Sequence, residues 1–294
     1  MERNKTFSDI LFNMVVYSVC IMTILVIVYP LYFIVIASFS NPNEVMNGHV
    51  WLLPKGITFK GYETIFEDVR IWTGYRTTII IASVGTLLSL AITIPAAYSL
   101  SRKDFMLRNP VMFFFVITMF FNGGLIPTYL TIKSLHLVNT IWVMIFPFSM
   151  NVFFLIITRT FFESSIPSEL LDSAKVDGCS NGRFFFTIVL PLSKAIIAVI
   201  LLYYIVARWN EYFTALIYIR DSKLYPLQLI LRDILVRNQA FSTGEGVHSG
   251  DSAQQVANLI KYGVIIVSTL PVLIIYPFIQ KYFEKGVMIG AIKG

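Results

Sequence analysis

The chain has 294 residues, 56% of them hydrophobic and only 14% charged, with a mean hydropathy of +0.72 and a formal net charge of +6. Globular chains carry roughly 45–50% apolar and about 25% charged residues, so there is too little charge here to coat a soluble domain of this length, and a cytosolic enzyme is excluded. In a membrane protein an excess of Lys and Arg reflects cytoplasmic loops, so the basic balance does not point to nucleic acid.

A spanning helix needs about 20 predominantly apolar residues, at a rise of about 1.5 Å each. Behind a short N-terminus, 1–10, carrying Arg3 and Lys5, the first span is predicted at 11–37. Its apolar run is too long for a signal-peptide core and lacks a convincing cleavage site, so it is read as retained. Further spans are predicted at 77–100, 109–132 and 137–160. The fifth, 193–218, is apolar but interrupted by Arg208 and Glu211; the sixth is 258–281, followed by a tail, 284–294. The predicted fold class is all-α, a polytopic membrane protein with six transmembrane helices over 11–283.

Orientation comes from the loops. Arg102, Lys103 and Arg108 mark the connection between spans two and three as cytoplasmic. Six spans then put both termini, and the connection 163–191, on the same side. The outer connections around 38–76 and 218–256 are long and mix charges with Pro, Gly and aromatic residues, which in a compact protein signals function. Pro30, Pro95, Gly123-Gly124 with Pro127, Pro147, Pro271 and Pro277 fall inside spans, where freed carbonyls need a neighbouring helix or an aqueous path. Cys20, Cys179, His49, His136 and His248 are too scattered for a zinc site or a disulfide framework.

The most informative segment runs Ile166-Pro-Ser-Glu-Leu-Leu-Asp-Ser-Ala-Lys-Val-Asp-Gly178 and on to Ile188-Val-Leu-Pro191. Pro167 and Ser168 open a helix, with Ser168 placed to cap it. Asp177-Gly178 closes it, glycine being the residue that adopts a left-handed cap with least strain. Ser180 can cap a second helix, 181–188, set off from span five by Pro191. The result is two short helices on the membrane surface.

This segment resembles the EAA loop of permease subunits in binding-protein-dependent ABC importers, E-A-A-x3-G-x9-I-x-L-P. Asp172, Ser173 and Ala174 stand at the E-A-A positions, then Gly178, Ile188 and Leu190-Pro191 complete the spacing. Phe121-Asn-Gly-Gly-Leu-Ile-Pro-Thr-Tyr129, Leu137-Val-Asn-Thr-Ile-Trp142 and the ending from Tyr276 to Gly294 are similar to carbohydrate permeases related to the smaller maltose permease, in a branch handling oligosaccharides and polysaccharide fragments. Thr77, where these permeases often carry Asn, and Asp172-Ser173 depart from the pattern.

The resemblance implies a type I ABC importer permease fold in a bacterial cytoplasmic membrane. It implies a second permease (a different chain), two ATPase subunits and an extracytoplasmic binding protein that delivers an oligosaccharide. It also implies that Glu169, Asp172, Ser173, Ala174, Asp177, Gly178, Leu190 and Pro191 form the coupling element that docks on an ATPase. By the same likeness Gly286, Gly290, Lys293 and Gly294 form a tail reaching the ATPases. ATP and Mg belong to those subunits, and no cofactor is expected on this chain: it has no phosphate-cradling G-x4-G-K-[ST] motif and no catalytic constellation.

Arg208-Trp209-Asn210-Glu211-Tyr212 lies in the half of span five away from the coupling loop. Charges at that depth face a bundle interior or an aqueous cavity. Arg208 and Glu211, three apart, are neighbours able to pair, as are Trp209 and Tyr212, whose rings suit stacking on sugar. A sugar-contacting wall and an ion pair pinning helices are both open readings. Rival functions are an ion-coupled secondary carrier, for which Glu211 is the clear intramembrane acid, an ABC permease for a non-sugar solute, and a membrane enzyme.

Overall fold

The structure, a computed structural model, describes residues 7–242 and 260–277. Among the described residues there are helices and no strand. In chain order these are α1 (Phe7–Ser38), α2 (Pro42–Met46), α3 (Lys60–Glu67), α4 (Val69–Ser101), α5 (Arg108–Phe120), α6 (Leu125–Ser134) and α7 (Val152–Ser165). Then come α8 (Ser168–Val176), α9 (Asn181–Phe184), α10 (Leu190–Leu192), α11 (Lys194–Trp209), α12 (Phe213–Tyr218), α13 (Leu227–Ser242) and α14 (Ile260–Pro277).

Three of these helices, α1, α4 and α14, are long and apolar enough to cross a membrane, or up to five spans if two sharply bent pairs count as one each. The first span is a single helix from Phe7, four residues ahead of its predicted start. The second begins at Val69 rather than 77, because helical hydrogen bonding does not stop where the hydrocarbon does and the polar Arg70–Arg76 turns continue the ladder. Pro30 and Pro95 sit within unbroken helices.

The predicted third span, 109–132, is not one helix. α5 and α6 meet at 114° across Phe121–Gly124. Gly124 takes φ +86, a region closed to most side chains, and the Asn122 side chain accepts from its amide at 2.9 Å. The predicted fourth span, 137–160, is also divided: a 3-10 turn, Ile141–Met144, an irregular stretch through Pro147, then α7. Pro147 has no amide to continue a ladder, and Asn151 restarts it by accepting from the amides of Phe153 and Phe154. The predicted fifth span, 193–218, ends as a helix at Trp209 and resumes as α12. The sixth, 258–281, is α14 as far as Pro277.

The chain forms two compact units. In the unit comprising residues 1–68 and 231–269, α1 ends against a small aromatic core. Phe39 stacks on Tyr62 at 5.2 Å, Phe33 meets the Tyr262 edge at 6.0 Å, and the Tyr62 hydroxyl donates to Ser38 Oγ at 2.8 Å. Gly263 lets α14 approach α3, since a Cβ there would lie 2.8 Å from Ile65 Cδ1.

In the unit comprising residues 69–230 and 270–294, α4 is the central helix, packed by α7 and α11. One apolar cluster joins Ile94, Ala97, Tyr98, Leu155, Phe162, Ala174, Phe184 and Val189. A second joins Ile81, Ile132, Val143, Met144, Ala215, Tyr218 and Leu229. Polar pins fix the arrangement: Thr93 Oγ1 and the Tyr204 hydroxyl are 2.7 Å apart, and that hydroxyl accepts from the Asn151 amide. Asn139, at φ +61, accepts from the amides of Arg220 and Asp221 at 2.9 Å each and locks the 135–140 turn to the end of α12. Asn is among the residues that tolerate this left-handed conformation.

Candidate functional site

The loop singled out by the sequence folds as two short helical pieces. Pro167 occupies the position ahead of α8 with extended torsions and no side chain caps the helix start. Ser168 is therefore the first helical residue rather than the cap, one position too late for its hydroxyl to reach back to free amides. Glu169 in the first turn complements the positive helix end. At the other end Gly178 takes φ +72, its amide donates to Lys175 O at 3.0 Å, and the Cys179 amide donates to Ala174 O at 2.9 Å. This paired pattern with glycine in the left-handed position is the Schellman stop. Ser180 caps α9, accepting from the Arg183 amide at 3.3 Å.

The second helix does not run uniformly over 181–188. After Phe184 the ladder widens to a π-turn, Phe185–Val189, then tightens into α10, and the chain bends by 80° between Leu192 and Lys194. Pro191 supplies no amide and crowds the carbonyl four residues back, which favours the wider ladder ahead of it.

The two faces of α8 have different roles. Ala174 is buried and Leu171 half-buried in the cluster with Tyr98, Phe162 and Phe184. Glu169, Asp172, Ser173, Asp177 and Gly178 are exposed, as is Pro191; Leu190 is half-buried. Glu169 and Asp172, three apart, share the outward side. The structure thus brings the candidate acids together on an open surface and uses Ala174 to bolt that surface down.

A cleft of about 660 Å³ lies between α8 and the 102–108 turn, lined by Arg102, Lys103, Asp104 and Arg108 on one wall and Glu169, Asp172 and Lys175 on the other. Arg102 Nε donates to Asp104 Oδ1 at 2.8 Å, with a second, shorter contact completing the fork. Arg102 Nη1 also donates to Asn181 Oδ1 at 2.9 Å, and Lys175 Nζ lies 3.7 Å from Asp104 Oδ2. Arg159 Nε donates to Leu100 O at 3.1 Å while its Nη2 pairs with Glu163 at 2.8 Å. The Arg102 guanidinium holds the Asp104 carboxyl down at about 2 and is itself pushed above its ordinary value by that hydrogen bond. In the sequence Arg102 reads only as a marker of topology. Its partner Asn181 lies 79 residues on, and no periodicity links the two.

The 208–212 segment is arranged differently from its sequence expectation. Arg208 is buried and donates to three backbone carbonyls, Met144 O, Ile145 O at 3.4 Å and Phe148 O at 2.7 Å. It makes no ion pair with Glu211. The helix ends at Trp209, so the three-residue spacing no longer puts the two side chains on one face. Glu211 Oε1 instead accepts from the Thr214 amide at 2.9 Å and caps α12, and Asn210 Nδ2 turns back to Val206 O. Trp209 is buried, 6.2 Å from the Tyr75 ring, whereas Tyr212 is exposed in the break. Gly286, Gly290, Lys293 and Gly294 lie outside the described residues.

These features can be set beside known proteins. Residues 86–289 match the family described as "Binding-protein-dependent transport system inner membrane component". The chain is 41% identical over 284 residues to the polygalacturonan/rhamnogalacturonan transport system permease protein YtcP of Bacillus subtilis (strain 168), covering 97% of this chain and 99% of that one. It is 39% identical over 270 residues to Protein LplC of the same organism, covering 91% and 90%. Among solved structures it is similar to a chain of a bacterial ABC transporter involved in the import of the acidic polysaccharide alginate, with TM-score 0.84, 31% identity and coverage of 96% and 99%. The all-α fold expected from the sequence is that of these importers. With an EAA-type loop on a bolted helix and likeness along nearly its whole length, the chain belongs to the inner membrane components of binding-protein-dependent transport systems.

Proposed function

We propose that this permease forms, with a second and different permease chain, the pathway for an oligosaccharide handed over by an extracytoplasmic binding protein, and that the exposed face of α8 transmits the state of a separate ATPase subunit. The observation that carries the coupling reading is the division of α8: Ala174 fastened in the core, Glu169 and Asp172 outward, and Gly178 fixing where the helix stops. A rigid knob of this kind moves with the spans it is packed on. The sugar class is supported by the relatives' cargo: polygalacturonan and rhamnogalacturonan for one, alginate for another.

In this reading both termini and α8 face the cytoplasm, ATP and Mg are held by two partner ATPases, and the 284–294 tail reaches towards them. Asn210, Glu211 and Tyr212, in the break between α11 and α12, line the route, while Arg208 and Trp209 hold its wall. Alternating access then follows from rocking of spans about a midplane path. A mild-detergent pull-down of the tagged chain from its own membranes tests the assembly. Recovery of a P-loop ATPase and a second polytopic chain is the expected result. A lone, monodisperse chain whose uptake follows protonophores rather than ATP would overturn it in favour of an ion-coupled carrier.

A further inference from the structure

Between α2 and α3 the chain makes an ordered excursion that the transport reading does not use. It leaves from His49, paired with Glu44 at 2.9 Å, and returns at Lys55, whose carbonyl accepts from the Asn41 amide at 2.9 Å and whose amide donates to Ser40 Oγ at 3.2 Å. Both ends are therefore fastened just past the end of α1. Between them runs Val50-Trp51-Leu52-Leu53-Pro54, without a charge. Trp51, Leu52 and Leu53 are 69%, 67% and 73% exposed, values expected of Lys rather than of the largest apolar residues.

The direction of the excursion is fixed by two tyrosines of α1. The Tyr29 hydroxyl donates to Trp51 O at 3.4 Å and the Tyr32 hydroxyl donates to Leu52 O. At about 1.5 Å per residue, these tyrosines sit roughly 9–14 Å short of the last residue of α1, Ser38. The tip therefore folds back alongside the apolar length of a membrane-spanning helix. Non-helical backbone near the hydrocarbon is less costly where its polar groups are satisfied from within the protein. Here the Trp51 and Leu52 carbonyls are met by the tyrosines, and the indole Nε1 donates to Gly48 O at 2.5 Å. The exposed side chains of the tip are apolar and framed by His49 and Lys55, and Trp is a residue favoured at the membrane interface.

We propose that residues 50–54 dip into the bilayer leaflet in which α1 ends, with Trp51, Leu52 and Leu53 in contact with lipid acyl chains. Tyr29 and Tyr32 are the positioning residues that hold the loop there through the Trp51 and Leu52 carbonyls. The occupant is lipid because the tip is continuous with the exposed apolar face of α1, the face of a helix long and apolar enough to cross a membrane. On the orientation proposed above this is the outer leaflet, but the inference holds for either.

The test is electron paramagnetic resonance on the full chain, purified with whatever subunits accompany it and placed in phospholipid nanodiscs. Cys20 and Cys179 are replaced by Ser, and a nitroxide is attached after Leu53→Cys. Ile24→Cys on α1 and Lys60→Cys on α3 serve as lipid and water references. The label at 53 is expected to collide with oxygen in preference to a water-soluble nickel chelate, as at 24. In Tyr29→Phe/Tyr32→Phe the preference at 53 reverses, while 24 is unchanged. Nickel dominating at 53 in the parent protein would show the loop in water, and shielding from both reagents would show it packed on another subunit. Either result overturns the proposal, as does an unaltered preference in the double Phe variant for the positioning role.

Discussion

Gly85 of α4 and Arg208 of α11 face each other so closely that a Cβ on the glycine would lie 3.3 Å from Arg208 Nε and 3.6 Å from Cδ and Cζ. The missing side chain is what lets a buried guanidinium reach across to the carbonyls of Met144, Ile145 and Phe148. A broken helix at membrane depth has carbonyls that lipid cannot satisfy, and one cation with five fixed donors answers three of them. Arg208 is thus the counterpart of the Pro147 break, although 61 residues separate them in sequence.

Replacing Arg208 with Met should leave those carbonyls without donors and destabilise the protein by about 2–5 kcal/mol. Gly85→Ala, which crowds the guanidinium without removing it, should cost less, about 1–3 kcal/mol. Thermal unfolding in detergent followed by tryptophan fluorescence measures both. An Arg208→Met protein as stable as the parent would remove the clamp from the account.

The stop at Gly178 depends on backbone conformation, not space, since nothing lies within 4 Å of a Cβ built there. Gly178→Val should therefore strain the left-handed cap by about 1–3 kcal/mol and unwind the end of α8. The expected readout is ATP hydrolysis in reconstituted vesicles that persists while sugar uptake falls. Gly178→Asn, which tolerates this φ, should retain most uptake; equal losses in the two variants would point to something other than the cap.

Ala174 and Asp172 separate folding from docking on one helix. Ala174→Phe forces a ring into a packed cluster and should lower stability by about 1–3 kcal/mol. Asp172→Lys changes an exposed side chain and should leave the unfolding temperature within error while reducing the ATPase recovered with the permease. If the charge reversal costs stability and not ATPase recovery, the outward face has been misassigned.

Asp104 gives a pH prediction with a definite sign. Its folded carboxyl is held at about 2, below its ordinary value of 3.8. Its contribution is therefore fully present above the ordinary value and is lost as pH falls towards 2. The stability difference between parent and Asp104→Asn should be flat from pH 5 to 8 and vanish between about pH 4 and 2. A difference that instead changes around neutrality would show that Arg102 is not its dominant partner.

How far the sequence carries is clear from individual residues. The charge deficit and the apolar run of α1 establish a membrane chain, because hydrophobic burial in lipid is a matter of local composition. The α8 stop at Gly178 and the Ser180 cap of α9 are equally local: capping joins groups three to five residues apart, so spacing alone reveals them. Gly123-Gly124 reads as a breaker, but the 114° angle there does not follow from it, because a glycine permits a turn without setting its size.

What only the tertiary structure decided are the partners distant in the chain. Arg208 and Glu211 have the spacing of a helical pair, yet the helix ends between them and three carbonyls from another element outcompete the carboxylate. Arg102 finds Asn181, and Tyr29 and Tyr32 find the backbone of the 50–54 loop, across separations that leave no period in the sequence. Polar groups in an apolar medium must be satisfied by whichever donor or acceptor folding brings near. The sequence by itself determined that such groups exist and which helices carry them; their identities as partners were settled when α4, α7 and α11 packed, and when the chain after α1 folded back onto it.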